Sequence, residues 1–384
     1  MGNHLNKKEK NSKKEKKDKD LKDEKKEKNR DNIKVNLQKN DPSLIKNNPG
    51  AIVINEYFSP NKISLLLLNK QIHSNNKEPI KEVMIHPNFQ NSILIACKLG
   101  QIKLFENITE NHNLNNNQKI LFDAKEEIFS MILLKKNDND ICISLKQKIM
   151  ILSFNTSNEL KKEYELEAES YNLKNASLLE LQNGNIISAG GDFIYWVKDI
   201  KSYQKANNII PDDKESDFIN LIEFSENNTI IITQKDTHLI YFLKYDNNKI
   251  ELIKKIEGHS SIWYKGSAKK LTDYYMLMVG KFELNVIDGN NGAICNRYIG
   301  IDKGSLLNLT ESNSENNIWI VTDYFGKYFE FYTQEGSDLI LLDKIELDQH
   351  NEIKWANQLV RINEKCFVVV NYYGEIFTFS ATLE

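Results

Sequence analysis

His259 is followed directly by Ser260 and Ser261, so an imidazole and two hydroxyls stand side by side. Acyl transfer from such a group requires a serine hydroxyl bonded to the ring and a carboxylate that orients the ring from behind. No carboxylate accompanies the pair in a catalytic spacing, and its place after Gly258 in a repeating unit predicts a structural histidine. The remaining histidines, His4, His73, His86, His112, His238 and His350, fall at no metal-ligand spacing. Cys97, Cys142, Cys295 and Cys366 form no C-x-x-C pair, and three lie in apolar runs, which predicts reduced thiols packed as small hydrophobes. The acidic stretch Asn137–Asp140 lacks the glycine and the terminal glutamate of a calcium loop. Phosphate-cradling glycine loops, G-x-S-x-G and H-E-x-x-H are all missing. The expectation is a non-enzymatic chain that uses no cofactor and no metal.

Binding chemistry has two candidate locations. Gly2, exposed once Met1 is removed and followed by Asn3-His4-Leu5-Asn6-Lys7, resembles an N-myristoylation site, with Asn6 where Ser or Thr is preferred. One acyl chain holds a membrane only marginally and needs a polybasic second signal. Acidic residues interleaved through Lys7–Lys28 dilute that signal, and a solvated tail is the competing reading. The second location is Ser260–Lys270, where Ile262, Trp263 and Tyr264 interrupt a segment expected to be a short loop. Trp263 and Tyr264 are the candidate partner-binding aromatics, because such side chains dominate interface energetics. Trp319, Trp355 and the Tyr372-Tyr373 pair read instead as core or inter-blade packing.

Charge divides the chain unevenly. The first 34 residues carry 14 Lys and Arg against 8 Asp and Glu, so that with a total of −3 the remainder holds −9. An acidic body with only Arg297 and Arg361 argues against nucleic-acid binding by the body, and no adjacent arginines offer a lipid-phosphate site. Residues 1–48 are too poor in apolar side chains to offset chain entropy and are expected to be a disordered, Lys/Asn/Glu-rich arm. Within it, Lys13–Lys28 has the Glu/Lys pairing of a transient, coiled-coil-like basic helix. The arm also offers a possible contact to a membrane surface. No apolar run approaches 18 residues, and the expected setting is intracellular: cytoplasmic, with a nuclear or membrane-peripheral location as alternatives.

What would position these groups is a repeat. From residue 51 onward, apolar runs of four to seven residues alternate with Asn, Asp, Gly and Lys clusters, the pattern of strands and turns. A hairpin turn returns at Gly100, Gln147, Gly191, Thr237, Gly280, Gly326 and Gly374, at intervals of about 43 to 48 residues, the length of a four-stranded propeller blade. Apolar runs such as Glu82–Ile85, Phe218–Phe224 and Trp355–Ile362 precede the turn pairs and are expected to be innermost strands. The chain stops after the third strand of its last unit, while a surplus strand, Lys62–Leu68, stands ahead of the first. Pairing one with the other would close the ring and remove its open edges. The expected fold is thus an all-β, seven-bladed β-propeller spanning residues 51–384, closed by an N-terminal strand.

The letters of the repeat resemble the WD40 family. The best matches are Gly100-Gln-Ile-Lys-Leu-Phe105-Glu106, Gly190-Gly191-Asp192-Phe193-Ile194-Tyr195-Trp196 and Gly374-Glu375-Ile376-Phe377-Thr378-Phe379, with one Gly-His dipeptide at Gly258-His259. The family's Trp position reads Phe105, Leu152, Trp196, Phe242, Asn285, Phe331 and Phe379, and no unit keeps both Gly-His and Trp-Asp. The buried His–Asp network of the family is therefore not expected here. The resemblance implies a protein-interaction scaffold or adaptor, a monomeric propeller within a complex. A myristoylated peripheral-membrane adaptor and a propeller-fold hydrolase are the alternatives.

Overall fold

A computed structural model describes residues 52–53, 63–73, 78–109, 118–135, 139–167, 177–190, 193–197, 202–205, 218–234, 239–246, 249–257, 266–280, 283–299, 304–308, 317–323, 325–347 and 353–383. Gly2 and the arm, His259, and both Trp263 and Tyr264 lie outside the described residues. Consecutive strands pair antiparallel into sheets that follow the repeat. The first sheet holds Ile80–Ile85, Ile93–Cys97, Gln101–Phe105 and Gln118–Asp123; the second holds Ser130–Leu133, Asp140–Ser144, Lys148–Phe154 and Leu160–Glu167. The third runs from Ser177–Glu180 to Ser202–Lys205, the fourth from Phe218–Phe224 to Ile250–Glu257, and the sixth from Gly304–Asn308 to Asp338–Glu346.

The last sheet joins both ends of the chain. Ala356–Arg361, Cys366–Asn371 and Glu375–Leu383 supply three strands, and Ile63–Ile72 pairs antiparallel with Glu375–Leu383 as the fourth. The N-terminal strand therefore lies where its surplus apolar run placed it, and it extends four residues beyond Leu68. Six sheets are regular four-stranded blades among the described residues, one fewer than the expected seven. The remaining sheet, at the fifth interval, has five strands. Its series Ala268–Lys270 to Ile294–Ile299 gains Ile52–Val53, which adds in parallel to the outer edge.

Position within a sheet explains strand composition. Second strands such as Ile93–Cys97, Thr229–Gln234 and Ile318–Asp323 are buried along their whole length, since a neighbouring sheet covers each face. They accordingly read as unbroken apolar runs rather than alternating ones. Outer strands such as Leu160–Glu167 keep only one or two anchors and expose their charges. Cores lie between sheets. The sixth and last share Phe329, Phe331, Phe367, Phe377 and Phe379, with Phe329 edge-on to Phe367 at 5.4 Å and Phe367 stacked on Phe379 at 5.5 Å. Such aromatic pairs add about 0.5–1.5 kcal/mol beyond area burial.

Polar side chains stitch each sheet to the next. Lys135 donates its backbone N–H to the Glu180 carboxylate, and Gln182 N–H donates to Glu223 Oε1 at 2.7 Å. Asn220 Nδ2 donates to Ser267 Oγ at 3.1 Å, Leu339 N–H to the Tyr298 hydroxyl at 2.8 Å, and Ile63 N–H to Asp343 Oδ2 at 2.9 Å. At the seam between last and first sheets, Gln358 accepts from Val83 N–H at 3.0 Å and donates to Glu82 Oε1 at 2.9 Å.

Candidate functional site

The innermost strands of the sheets surround a central cavity of about 740 Å³, lined by residues from Val83 in the first sheet through Leu359 in the last. Its wall mixes aliphatic side chains with polar and charged ones. Two of its carboxylates are held by neighbours: Glu82 by Gln358 Nε2 and Ser130 Oγ, and Glu223 by Gln182 N–H, the Tyr245 hydroxyl at 2.6 Å and the Lys135 ammonium at 3.6 Å. No histidine or cysteine is among its described lining residues. The arrangement offers surface for binding.

One end of the cavity is bordered by the turns between second and third strands and by the loops entering each first strand. Antiparallel order puts both on the same face. On this face, three neighbouring sheets carry apolar tips: Leu99 in the first, Phe325 in the sixth, Tyr372 and Tyr373 in the last. Trp355, in the loop entering the last sheet, joins them. Exposure of these side chains is 69% for Leu99, 47% for Phe325, 41% for Trp355, 55% for Tyr372 and 37% for Tyr373. The expectation that Trp355 and the tyrosine pair pack in the core is thereby corrected, whereas Trp319 is buried and donates to Gln334 Oε1 at 2.9 Å. The reason is local. Leu99, Phe325 and Tyr373 each immediately precede a turn glycine with positive φ, and a residue at that point of a tight turn is lifted off the sheet.

The tips form a stitched rim. Gly326 accepts from Ile353 N–H at 3.3 Å, Asn371 Nδ2 donates to Ile353 O at 2.6 Å, and Tyr372 N–H donates to Trp355 O at 3.0 Å. Asn371 Oδ1 also accepts from Tyr373 and Glu375 N–H, at 3.0 and 2.8 Å. Next along the rim, Gly374 accepts from His73 N–H at 3.1 Å, and Glu78 Oε1 accepts from Leu99 N–H at 2.6 Å. Lys354 and Trp355 are both left-handed, with φ of 47° and 66°. Such a conformation costs a side-chain-bearing residue about 1–3 kcal/mol and persists only where surrounding bonds hold it. Here those bonds turn an indole toward solvent.

Beneath the rim, ligand atoms of His73, Glu78 and Cys97 come within 4.8 Å of one another. Their donor set is already used. His73 Nε2 donates to Glu78 O at 2.5 Å, leaving Nδ1 to face the Cys97 thiol at 3.7 Å. Burial pushes that thiol up to about 12, so it stays protonated, and burial also lowers the His73 pKa. The Lys103 ammonium donates to His73 O at 3.2 Å, which sets a positive charge beside the trio. The trio does not fit a metal; it is a hydrogen-bonded brace between the closing strand and the first sheet. Sequence reasoning missed it because Ile72-His73 lacks the preceding glycine of the repeat signature. For the rim, the usable signal was an apolar residue before the turn glycine in three consecutive units.

No protein-family model and no curated relative matches this sequence. The structure is similar to the crystal structure of RRP9 WD40 repeats, with a TM-score of 0.60 and 11% identity, covering 83% of this chain and 100% of that one. The fold is a WD40-like β-propeller. At that identity the likeness extends to the architecture alone.

Proposed function

We propose that the chain is a non-catalytic protein-interaction scaffold: a seven-bladed propeller, with the five-stranded sheet as the seventh member, that engages partners through the aromatic rim. The WD40 fold is generally a protein-interaction scaffold. In favour of a seven-membered ring, the cavity draws lining residues from the inner strand of every sheet, the five-stranded one included through Ala268. The observation that carries the function is the cluster Phe325, Trp355, Tyr372, Tyr373 and Leu99, exposed on rigidly bonded turns of adjacent sheets. Exposed aromatics held without conformational freedom are the usual source of interface energy. Residues 1–48 add an electrostatic contact that weakens as salt rises.

The test is comparative affinity capture from cell extract. Wild-type chain, a Trp355→Ala/Tyr372→Ala rim variant and a Tyr274→Ala variant on the opposite face are used as baits. Partners retained by wild type and Tyr274→Ala, but lost by the rim variant, support the reading. Equal retention by all three overturns it.

A further inference from the structure

We propose that the rim receives an acidic segment of a partner protein, anchored by aromatic or aliphatic side chains; this rests on the rim being the contact face. Lysines accompany the apolar tips: Lys98 beside Leu99, Lys327 one residue after Gly326, and Lys354 beside Trp355. All three are exposed, and none is ion-paired among the described residues. Lys327 Nζ stands 5.8 Å from the centre of the Phe325 ring, so its cation and that aromatic face one ligand together.

Among the described residues, the carboxylates of these turns are already engaged by neighbours. Asp323 Oδ1 accepts from Lys327 and Tyr328 N–H at 2.7 and 3.2 Å, and buried Glu78 accepts from Leu99 N–H. Glu375 is taken by Lys70 at 3.0 Å and by Asn371 Nδ2 at 2.6 Å. The rim thus presents cations and aromatics on a body that carries −9 outside its first 34 residues. Local complementarity favours a ligand that is acidic and narrow.

Charge also ranks the other occupants. The chain's own arm has an excess of lysine and is repelled by the same lysines. An anionic bilayer is a plane that meets the surrounding acidic body as well as the rim. A single peptide samples the potential only within about 8–10 Å of its path, where it meets the rim lysines.

The probe is a fluorescently labelled peptide of about twelve residues alternating Asp/Glu with Phe/Leu, long enough at about 3.3 Å per residue to cross three adjacent turns. A counterpart carries Lys in place of every acid. Binding to the full chain is followed by anisotropy, alongside sedimentation with vesicles rich in phosphatidylserine. The expected result is binding of the acidic peptide only, weakened by salt and reduced about tenfold or more in Lys98→Glu/Lys327→Glu/Lys354→Glu. The arm is present in both proteins, so the difference reports the rim. Circular dichroism should show the triple variant folded, since these lysines are exposed and unpaired. Equal binding of both peptides, no loss in the triple variant, or binding to vesicles alone overturns the proposal. If rim aromatics are needed for partner capture while charge reversal changes nothing, the acidic ligand falls and the contact face stands.

Discussion

Gly374→Ala probes the seam on which both the closed fold and the rim depend. Gly374 has φ of +78°, and a Cβ there would lie 2.5 Å from Glu78 O and 2.6 Å from the His73 ring. Gly336 has a similar φ of +64° but nothing within 4 Å of the added atom. Left-handed backbone costs alanine about 1–2 kcal/mol, offset by about 0.4–1 kcal/mol from a less free unfolded chain. Gly336→Ala should therefore destabilise by only about 1 kcal/mol. Gly374→Ala carries the same cost plus an overlap with a backbone carbonyl and a braced ring, neither of which can swing aside. Overpacking of this kind adds about 1–3 kcal/mol, for a total of about 2–4 kcal/mol. Urea denaturation of both variants, followed by tryptophan fluorescence, measures the difference directly. Equal midpoints would refute the close approach of the last sheet to the closing strand and His73.

His86 supplies a pH test. It is buried, its Nδ1 accepts from Asn88 and Phe89 N–H, and burial lowers its pKa from 6.5 to about 4. A depressed pKa means the unfolded state takes up the proton first. Its stabilisation is complete above about pH 6.5 and is lost as pH falls toward 4, by at most about 3 kcal/mol. His86→Asn keeps an acceptor and should flatten the thermal midpoint between pH 6.5 and 4.5; an unchanged slope counts against the assignment. A chain beginning at residue 78 lacks Ile63–Ile72 and leaves Glu375–Leu383 as an open edge. It should melt lower and aggregate, while one beginning at residue 49 should match the full chain; equal melting of all three contradicts closure. In thiol titration, exposed Cys295 should react first, with buried Cys97 and Cys142 silent until denaturation. Early labelling of Cys97 would contradict its burial.

The turn period and the apolar runs placed the strands well because both report backbone needs. The aromatic position of the repeat is buried at Phe105, Phe242, Phe331 and Phe379, as a position between packed sheets requires. Asn285 at that position is buried too, and it survives by bonding Glu283 and Arg297 at 3.1 and 3.3 Å. The regular blade count was less legible, since nothing in two residues such as Ile52-Val53 announces a parallel fifth strand. The rim was misread for a different reason. Hydrophobicity alone assigns Trp355 and Tyr372-Tyr373 to a core, but their exposure follows from turn geometry and from a left-handed tryptophan that propensity disfavours.

Hydrogen exchange of the full chain, alone and in complex with a partner isolated by comparative capture, reads the contact face most directly. Protection should concentrate at residues 98–100, 325–327, 353–355 and 372–374, with the opposite-face turns 271–274, 289–292 and 362–365 unchanged. Protection at those opposite turns, with the rim exchanging as in the free chain, would contradict the rim as contact face.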